Sequence, residues 1–404
     1  MMLWFFLLFF RGFSGSNIVF LVFIGSISVV QKFGWVGISF FNLGRLIIVL
    51  IFVILMVFLF CLSSNLKNNI ILGGLVFLRS LFFISHNIIF FCLVFELTVF
   101  PLVLIICWQG SQPERVRGFY YFIFFSIFSS YPFLVYLSSQ LSVRFLLIPT
   151  NGSLILVSFL LPFLVKLPIF FFHIWLPKAH VEAPTLGSII LAGLMLKFGV
   201  WGIYRLEFLV LAFKEPLLLV LLLGVILGSF SSSVQADGKR LIAYSSVCHI
   251  NFLGFVLFSG GRTRGVARLL LILSHGTSSS LLFWVVGTIY KKIGRRQISF
   301  LSCRIIISIS IIMIFCCISF RNFGVPPTLG FWGEVFFLYS FLRVSSFYFF
   351  LSLFYLLIVC YFSVFLLIRV FRGNSGGKRL CFEESFLLCG LILLFYIPVL
   401  KVCF

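Results

Sequence analysis

Acidic side chains are scarce in this chain: only nine of its 404 residues are Asp or Glu, and charged residues of both signs together reach 10%. In a soluble domain about a quarter of the residues are charged. Hydrophobic residues make up 62% of the sequence, and apolar runs of about 20 residues, the length of a membrane-crossing helix, recur from end to end. The alternating segments of about ten residues that mark an outer-membrane barrel are missing. The composition therefore predicts an all-α, polytopic transmembrane helical bundle.

Nucleotide-binding and redox motifs are also missing. There is no GxGxxG, no GxxxxGK[ST] and no CxxCH, and the eleven cysteines include no CxxC pair. His173, His180 and Glu182 flank a predicted loop without the HExxH spacing of a zinc site. We therefore expect no cofactor and no metal to be bound by this chain.

Basic residues outnumber acidic ones, and the formal net charge is +21. The basic residues lie between the apolar runs, in short loops such as 236–240 and 291–296, and are not collected in a soluble domain. This distribution is typical of the positive-inside rule and of contact with anionic lipid headgroups. It predicts a lipid bilayer as partner and argues against nucleic acid.

Hydropathy predicts about thirteen membrane spans. They lie approximately at 16–33, 41–62, 69–85, 87–107, 118–140, 153–175, 184–205, 209–230, 241–260, 266–289, 302–342 (one broken helix or two spans), 346–371 and 385–403.

Two of these spans contain helix breakers. Pro168 follows Lys166 by two residues, and Pro326 and Pro327 divide the long run 302–342. Proline removes a backbone donor and clashes with the preceding turn. Since irregular backbone at membrane depth is tolerated only inside protein or beside water, paired breaks of this kind indicate a transporter site.

Six titratable side chains lie well inside predicted spans, where an isolated charge costs about 2.5–3.5 kcal/mol. They are Glu96, Lys166, Lys197, His249, His275 and Glu334. Any one of them is compatible with a purely structural role, but six on different helices favour a functional one.

The mixture of residue types suits proton transfer. Burial makes a lysine release its proton more readily and a nearby carboxylate reverses this, while histidine exchanges protons near neutral pH. We therefore predict Glu96 and Lys166 as a switch pair, Lys197 and His275 as a relay, and Glu334 as the terminal exchanger. His180 and Glu182 are predicted to line the matrix end of the path, and His249 is a further candidate.

Several long blocks resemble the chain 4 family of antiporter-like subunits of mitochondrial respiratory complex I. The matching blocks are WQGSQPERVRG (108–118), WLPKAHVEAP (175–184), LKFGVWGIYR (196–205), GKRLIAYSSVCHINF (238–252), SHGTSSSLLF (274–283) and PPTLGFWGE (326–334). The resemblance is strong over about 85–345. The N-terminal part is shorter than in the family, by about one helix.

The resemblance implies two inverted five-helix repeats, each with one broken helix. It places N-terminal helices at 1–68, the first repeat at 69–207, the second at 208–372 and a C-terminal helix at 373–404. In the family pattern Glu96 pairs with Lys166, and Lys197, His275 and Glu334 match the remaining proton-transfer positions. His249 matches a histidine whose role is less defined.

The implied function is proton translocation across the mitochondrial inner membrane, driven by NADH:ubiquinone electron transfer in other subunits. NADH, FMN, iron–sulfur clusters and ubiquinone are expected in those subunits, and neighbouring antiporter-like subunits are the expected partners. Two alternatives remain at this point: a stand-alone or multi-subunit cation/proton antiporter, and a structural subunit whose buried charges only fix packing.

Overall fold

The computed structural model describes most of the chain between residues 66 and 380. The described residues are 66–85, 88–110, 115–139, 153–205, 214–258, 263–293, 305–307, 309–326, 328–342, 346–371 and 378–380.

These residues form helices in chain order with one short strand pair. The elements are α1 (Leu66–Ile84), α2 (Ile88–Leu97), α3 (Val99–Gln109), α4 (Arg115–Ser139), α5 (Ser153–Lys166), α6 (Trp175–Glu182), α7 (Thr185–Ile190), a π-helical turn (Leu191–Met195), α8 (Leu196–Arg205), α9 (Lys214–Val234), α10 (Gly238–Phe258), α11 (Thr263–Ile293), β1 (Ile305–Ile307), α12 (Ile309–Asn322), α13 (Leu329–Leu342), α14 (Ser346–Phe371) and β2 (Lys378–Leu380).

The chain divides into two compact units, Met1–Phe83 and Ile84–Phe404. The described part of the first unit belongs to α1. The second unit contains all the other elements.

The predicted helical membrane architecture is confirmed. Among the described residues, six helical segments are long and apolar enough to cross a membrane, and they fall on predicted spans. The predicted spans at 16–33, 41–62 and 385–403 lie outside the described residues. The total of about thirteen spans and the four predicted segment boundaries therefore stay predictions.

One short strand pair accompanies the helices and leaves the predicted all-α class unchanged. Ile305–Ile307 pairs in parallel with Lys378–Leu380. Both segments lie outside the helices, where their backbone N–H and C=O groups need partners that a helix would have supplied. The β-branched isoleucines of β1 favour an extended conformation.

Three segments form the interior of the second unit. Residues Thr185–Tyr204 and Ala267–Lys291 are each 94% buried and Gly238–Phe258 is 89% buried, whereas Arg115–Val135 is only 33% buried. Helix α10 packs against α9 and α11, and α11 also packs against α7, α12 and α13. Because lipid and water do not reach this interior, it is where charged groups depend most on protein partners.

The predicted break at Pro168 is present. Helix α5 ends at Lys166, an irregular segment follows, and α6 begins at Trp175. Within this segment Phe171 has φ 71°, a region costly for a bulky side chain. The indole Nε1 of Trp175 donates to the carbonyl of Val165 at 3.0 Å, and the Asn251 side-chain amide donates to the carbonyl of Pro168 at 3.2 Å. Side chains thus replace the helical hydrogen bonds that the break removes.

The second predicted break is present too. Helix α12 ends at Asn322 and α13 begins at Leu329, with Gly324 in the left-handed region at φ 69° between them. Pro326 lies in this turn, and Pro327 lies outside the described residues.

Trp175→Phe tests how the first break is stabilised. The substitution keeps an aromatic ring near Phe122, whose centroid lies 5.2 Å from that of Trp175, but it leaves the buried Val165 carbonyl without its indole donor. We expect a loss of about 1–3 kcal/mol of stability, measured as a lower midpoint of thermal unfolding in detergent. Trp108→Phe is the control because Trp108 is 62% exposed. Equal midpoints for both variants would contradict the assigned role of the indole.

Candidate functional site

The predicted partners Glu96 and Lys166 form a buried ion pair. Lys166 Nζ lies 3.3 Å from Glu96 Oε1 and donates to the carbonyl of Phe95 at 3.0 Å. The Phe95 ring lies beneath the ammonium, with its centroid 3.3 Å from Nζ. Side-chain exposure is 5% for Lys166 and 20% for Glu96. The lysine is thus held by a carboxylate, a carbonyl and an aromatic face, and the carboxylate keeps limited access to its surroundings.

The local fold positions this pair. Lys166 is the last residue of α5, so it stands where the helix breaks. Glu96 lies next to the junction at Thr98 that separates α2 from α3, and the Thr98 hydroxyl donates to the carbonyl of Phe95 at 2.7 Å. Lys166 therefore lies at the break itself, whereas Glu96 lies beside a helical junction at which Thr98 keeps its hydrogen bond to the Val94 carbonyl at 3.1 Å.

Lys197 and His275 form a second buried contact. Lys197 Nζ lies 3.1 Å from His275 Nδ1 and donates to the carbonyl of Ala192 at 2.5 Å. Ala192 belongs to the π-helical turn just before Lys197, and such turns are often found at functional sites. When the lysine is an ammonium, Nδ1 must be the acceptor, and the histidine is then neutral with its proton on Nε2.

His249 extends this group. Its ring centroid lies 5.6 Å from that of His275, and its Nδ1 lies 2.8 Å from the Tyr355 hydroxyl. Tyr355 also stacks on Phe252 with a centroid distance of 4.1 Å. Helices α8, α10, α11 and α14 therefore each contribute one polar side chain to a connected cluster.

A small cavity of about 20 Å³ joins this cluster to Glu334. Its polar lining consists of His249, Ser274, His275, Ser278, Arg321, Asn322, Glu334 and Tyr355. The Glu334 carboxylate lies against Gly324 in the second break: a Cβ there would stand 2.5 Å from Oε2. Glycine is thus required both by the positive φ and by the close approach of the carboxylate.

His180 and Glu182 lie apart from this cavity lining. His180 is completely buried and stacks on Phe283, with ring centroids 4.3 Å apart and planes 3° apart. The Glu182 carboxylate accepts a hydrogen bond from the backbone N–H of Gly118. Buried Lys239 donates to the carbonyl of Ala183 at 2.9 Å, next to the end of α6.

The structure therefore brings the predicted residues into separate groups. Lys197, His275, His249 and Glu334 share one neighbourhood, while Glu96 and Lys166 form another. Among the described residues, no hydrogen bond links Lys166 directly to Lys197. A proton passing between the two groups needs water or side-chain movement.

Four polar residues of these neighbourhoods were not predicted. Tyr355 is one of twelve tyrosines and stands in an apolar run without any distinguishing pattern. Arg321 and Asn322 directly precede the second break, a position that could have marked them. Lys239 resembles an ordinary loop lysine in the sequence, yet it is only 8% exposed.

Within the described ranges, no group of three or more His, Cys, Asp or Glu side chains is arranged to hold a metal ion. The expectation that this chain binds no metal or cofactor stays a prediction.

Family comparison now identifies the fold. Residues 85–360 match the model of the NADH:quinone oxidoreductase/Mrp antiporter transmembrane family. The chain belongs to this family. This range contains both breaks and every charged contact described above, and it agrees with the family resemblance predicted from the sequence blocks.

Individual relatives agree with this assignment. NADH-ubiquinone oxidoreductase chain 4 of Ascaris suum is 37% identical over 299 residues, which cover 72% of each chain. The protein of the same name from Caenorhabditis elegans is 37% identical over 296 residues, covering 72% of this chain and 71% of the relative.

Solved structures share the fold at lower identity. A chain of respiratory complex I from Thermus thermophilus superposes with a TM-score of 0.76 at 22% identity, covering 87% of this chain and 79% of that one. A chain of the archaeal membrane-bound sulfane sulfur reductase superposes with a TM-score of 0.81 at 17% identity, covering 96% and 89%.

Tyr355→Phe tests the tyrosine that supports His249. The phenyl ring keeps the stack on Phe252 while the hydrogen bond to His249 Nδ1 is lost. We expect a loss of about 1 kcal/mol of stability, measured by thermal unfolding in detergent. Tyr361→Phe, on the same helix and 59% exposed, is the control. A Tyr355 variant as stable as this control would argue against the hydrogen bond.

Proposed function

We propose that this chain is a proton-translocating core subunit of the membrane arm of respiratory complex I in the mitochondrial inner membrane. It couples NADH:ubiquinone electron transfer in other subunits to proton movement across the membrane. The membership of the chain in its family and the names of its relatives support this proposal. The chain is then part of an enzyme only within the assembled complex.

The observation that carries the proposal is the contact between Lys197 and His275. It joins two groups that can exchange protons, at 3.1 Å, in helical segments that are 94% buried. Each such group at membrane depth makes the insertion free energy of its helix less favourable. Packing alone would be served at least as well by apolar side chains, since replacing buried ion pairs by apolar residues is often stabilising.

Each group has a role in the proposed path. Lys166 exchanges its proton according to the position of Glu96, because separation of the pair removes the charge that stabilises the ammonium. Lys197 receives and passes on the proton through His275, with His249 as a second histidine beside it. Glu334 releases the proton from the far side of the cavity. His180 and Glu182 belong to the matrix end of the path.

The two helix breaks provide access for water. The irregular segments at 167–174 and 323–326 lie beside Lys166 and Glu334, and irregular backbone of this kind suits a hydrated passage. The family's architecture of two inverted five-helix repeats, with about thirteen spans in this chain, would place one break in each repeat.

Redox chemistry belongs to other subunits in this proposal. NADH, FMN, iron–sulfur clusters and ubiquinone are bound there, and this chain binds no cofactor. Its partners are the other membrane-arm subunits, including neighbouring antiporter-like ones, and the surrounding lipid.

A double-mutant cycle on Glu96 and Lys166 separates function from packing. Either Glu96→Gln or Lys166→Met leaves an uncompensated partner, and breaking a buried pair costs about 3–5 kcal/mol. We expect poor assembly of both single variants and recovery of assembly in the double variant. Protons pumped per NADH oxidised should nevertheless stay low in the double variant, because the switch is absent.

Proteoliposomes containing the purified complex provide the measurement. Asp237→Asn with Arg240→Gln is the control cycle, since that pair is formed at the surface by a half-exposed arginine. A Glu96/Lys166 double variant that assembles and pumps normally would reduce this pair to a packing role.

Lys197→Met tests the relay. Methionine preserves length and flexibility but cannot carry a proton. We expect NADH oxidation to become partly uncoupled, with a several-fold lower proton-to-electron ratio attributable to this subunit. Lys291→Met, at an exposed position, should leave the ratio unchanged. The proposal fails if both variants pump alike.

A further inference from the structure

A hydrogen bond connects the neighbourhoods of the two groups of charged residues. The side-chain amide of Asn251, in α10, donates to the carbonyl of Pro168 at 3.2 Å. Pro168 follows Lys166 by two residues in the first break, and Asn251 follows His249 by two residues in α10. The bond therefore runs from the backbone beside the Glu96–Lys166 pair to the helix that carries His249.

The amide of Asn251 is fixed by its surroundings. The side chain is completely buried, and the same nitrogen also donates to the carbonyl of Val247, one turn earlier in α10, at 2.8 Å. Because both of these neighbours are carbonyl oxygens, the NH₂ group faces them and the amide oxygen faces away. That oxygen lies against Gly224 of α9, where a Cβ would stand 2.6 Å from Oδ1. A larger residue at position 224 would therefore displace the amide.

Helix α10 is a firm support for the break. It is 89% buried and packs closely on α9: a Cβ at Gly228 would lie 3.6 Å from the Cα of Cys248, and Cys248 Sγ lies 3.3 Å from the carbonyl oxygen of Val225. The break, in contrast, is irregular backbone between α5 and α6 whose carbonyls depend on side-chain donors. The hydrogen bond between them therefore positions the break relative to the helix.

We infer that Asn251 is a positioning residue for proton transfer between the two groups. Its bond to Pro168 holds the Lys166 end of the break at a fixed distance from the helix that carries His249. A proton that crosses between the groups needs water or side-chain movement, and the length of that passage depends on where the break lies. A misplacement of about 1 Å caused far from the reacting atoms can lower a rate about 100-fold.

The amide acts through position alone, because an amide side chain has no proton to exchange in the physiological range. The inference rests on the proposed function, since it concerns how the same proton path is kept connected.

Asn251→Leu provides the test. Leucine has a similar size but no donor, so the Pro168 carbonyl loses its bond to α10. Purified complex in proteoliposomes oxidises NADH, and protons pumped per NADH are recorded in H₂O and in D₂O. We expect the ratio to fall to that of the Lys197→Met complex. The solvent isotope effect on coupled NADH oxidation should rise, because proton transfer becomes the slow step. Lost packing alone would lower the unfolding midpoint and leave both readouts unchanged.

Trp175→Phe is the matched control for stability of the break. It removes the donor to another carbonyl of the same break, that of Val165, and leaves the bond to α10 in place. This complex should have a lower thermal unfolding midpoint but an unchanged ratio of protons to NADH and an unchanged isotope effect.

Gly224→Ala displaces the amide without removing it. Its ratio of protons to NADH should lie between those of the unaltered and the Asn251→Leu complexes. Gly228→Ala, one turn later in α9, is the matched control because its Cβ would meet Cys248 at 3.6 Å, an ordinary contact distance. This complex should pump as the unaltered one does.

Three outcomes would overturn the inference. In the first, the Asn251→Leu complex pumps like the Trp175→Phe complex. In the second, Gly224→Ala and Gly228→Ala give equal ratios. In the third, neither Asn251→Leu nor Gly224→Ala assembles, which makes the bond a requirement of folding and rejects the positioning role. Equal pumping by the unaltered and Lys197→Met complexes would count against the proposed function instead.

Discussion

The organisation of this molecule depends on one constraint: a charge or a backbone polar group at membrane depth must find its partner inside the protein. Lys166 shows how fully this is met. A single ammonium has a carboxylate, a carbonyl and an aromatic ring within 3.3 Å. The same constraint acts on the break that follows, where Trp175 and Asn251 supply donors to carbonyls that no helix serves. The charged side chain of Lys166 and the helix break that follows it are thus parts of one buried polar region.

The partners of these buried charged groups need not stay the same. The Lys166–Glu96 pair and the Lys197–His275 contact are separate, and among described residues no hydrogen bond bridges Lys166 and Lys197. In a continuous low-dielectric network each charge would be stabilised by the next, and a proton would have little reason to move. Separation allows each pair to be broken and remade, so transfer depends on rearrangement between them.

Much of this arrangement was predictable from residue types. Prolines 168 and 326 indicated the breaks because proline cannot continue a helix, and isolated charges in apolar runs indicated buried partners. Residue chemistry suggested Glu96 and Lys166 as a pair, and the family resemblance gave the same pairing; their separation of 70 residues does not by itself specify a contact. Tyr355 and Lys239 were not predicted because their contacts, with His249 and with the Ala183 carbonyl, form only between helices that are distant in the sequence. The π-helical turn at Leu191–Met195 likewise has no composition that distinguishes it from an ordinary apolar helix.

Two different kinds of cation lie near His275: Lys197 contacts this histidine directly, and Arg321 lines the cavity that His275 also lines. Among the described residues, Lys197 contacts a histidine nitrogen and a backbone carbonyl. Neither group carries a permanent negative charge, which suits an ammonium that gives up its proton in the proposed path. Arg321 cannot exchange its proton under physiological conditions, and it shares its cavity with the carboxylate of Glu334. The exchangeable charge of Lys197 thus lies on the central helices, and the fixed charge of Arg321 lies directly before the second helix break. In the proposed path, a proton arriving at His275 therefore meets one fixed charge, that of Arg321, and one exchangeable charge, that of Glu334, in the same cavity.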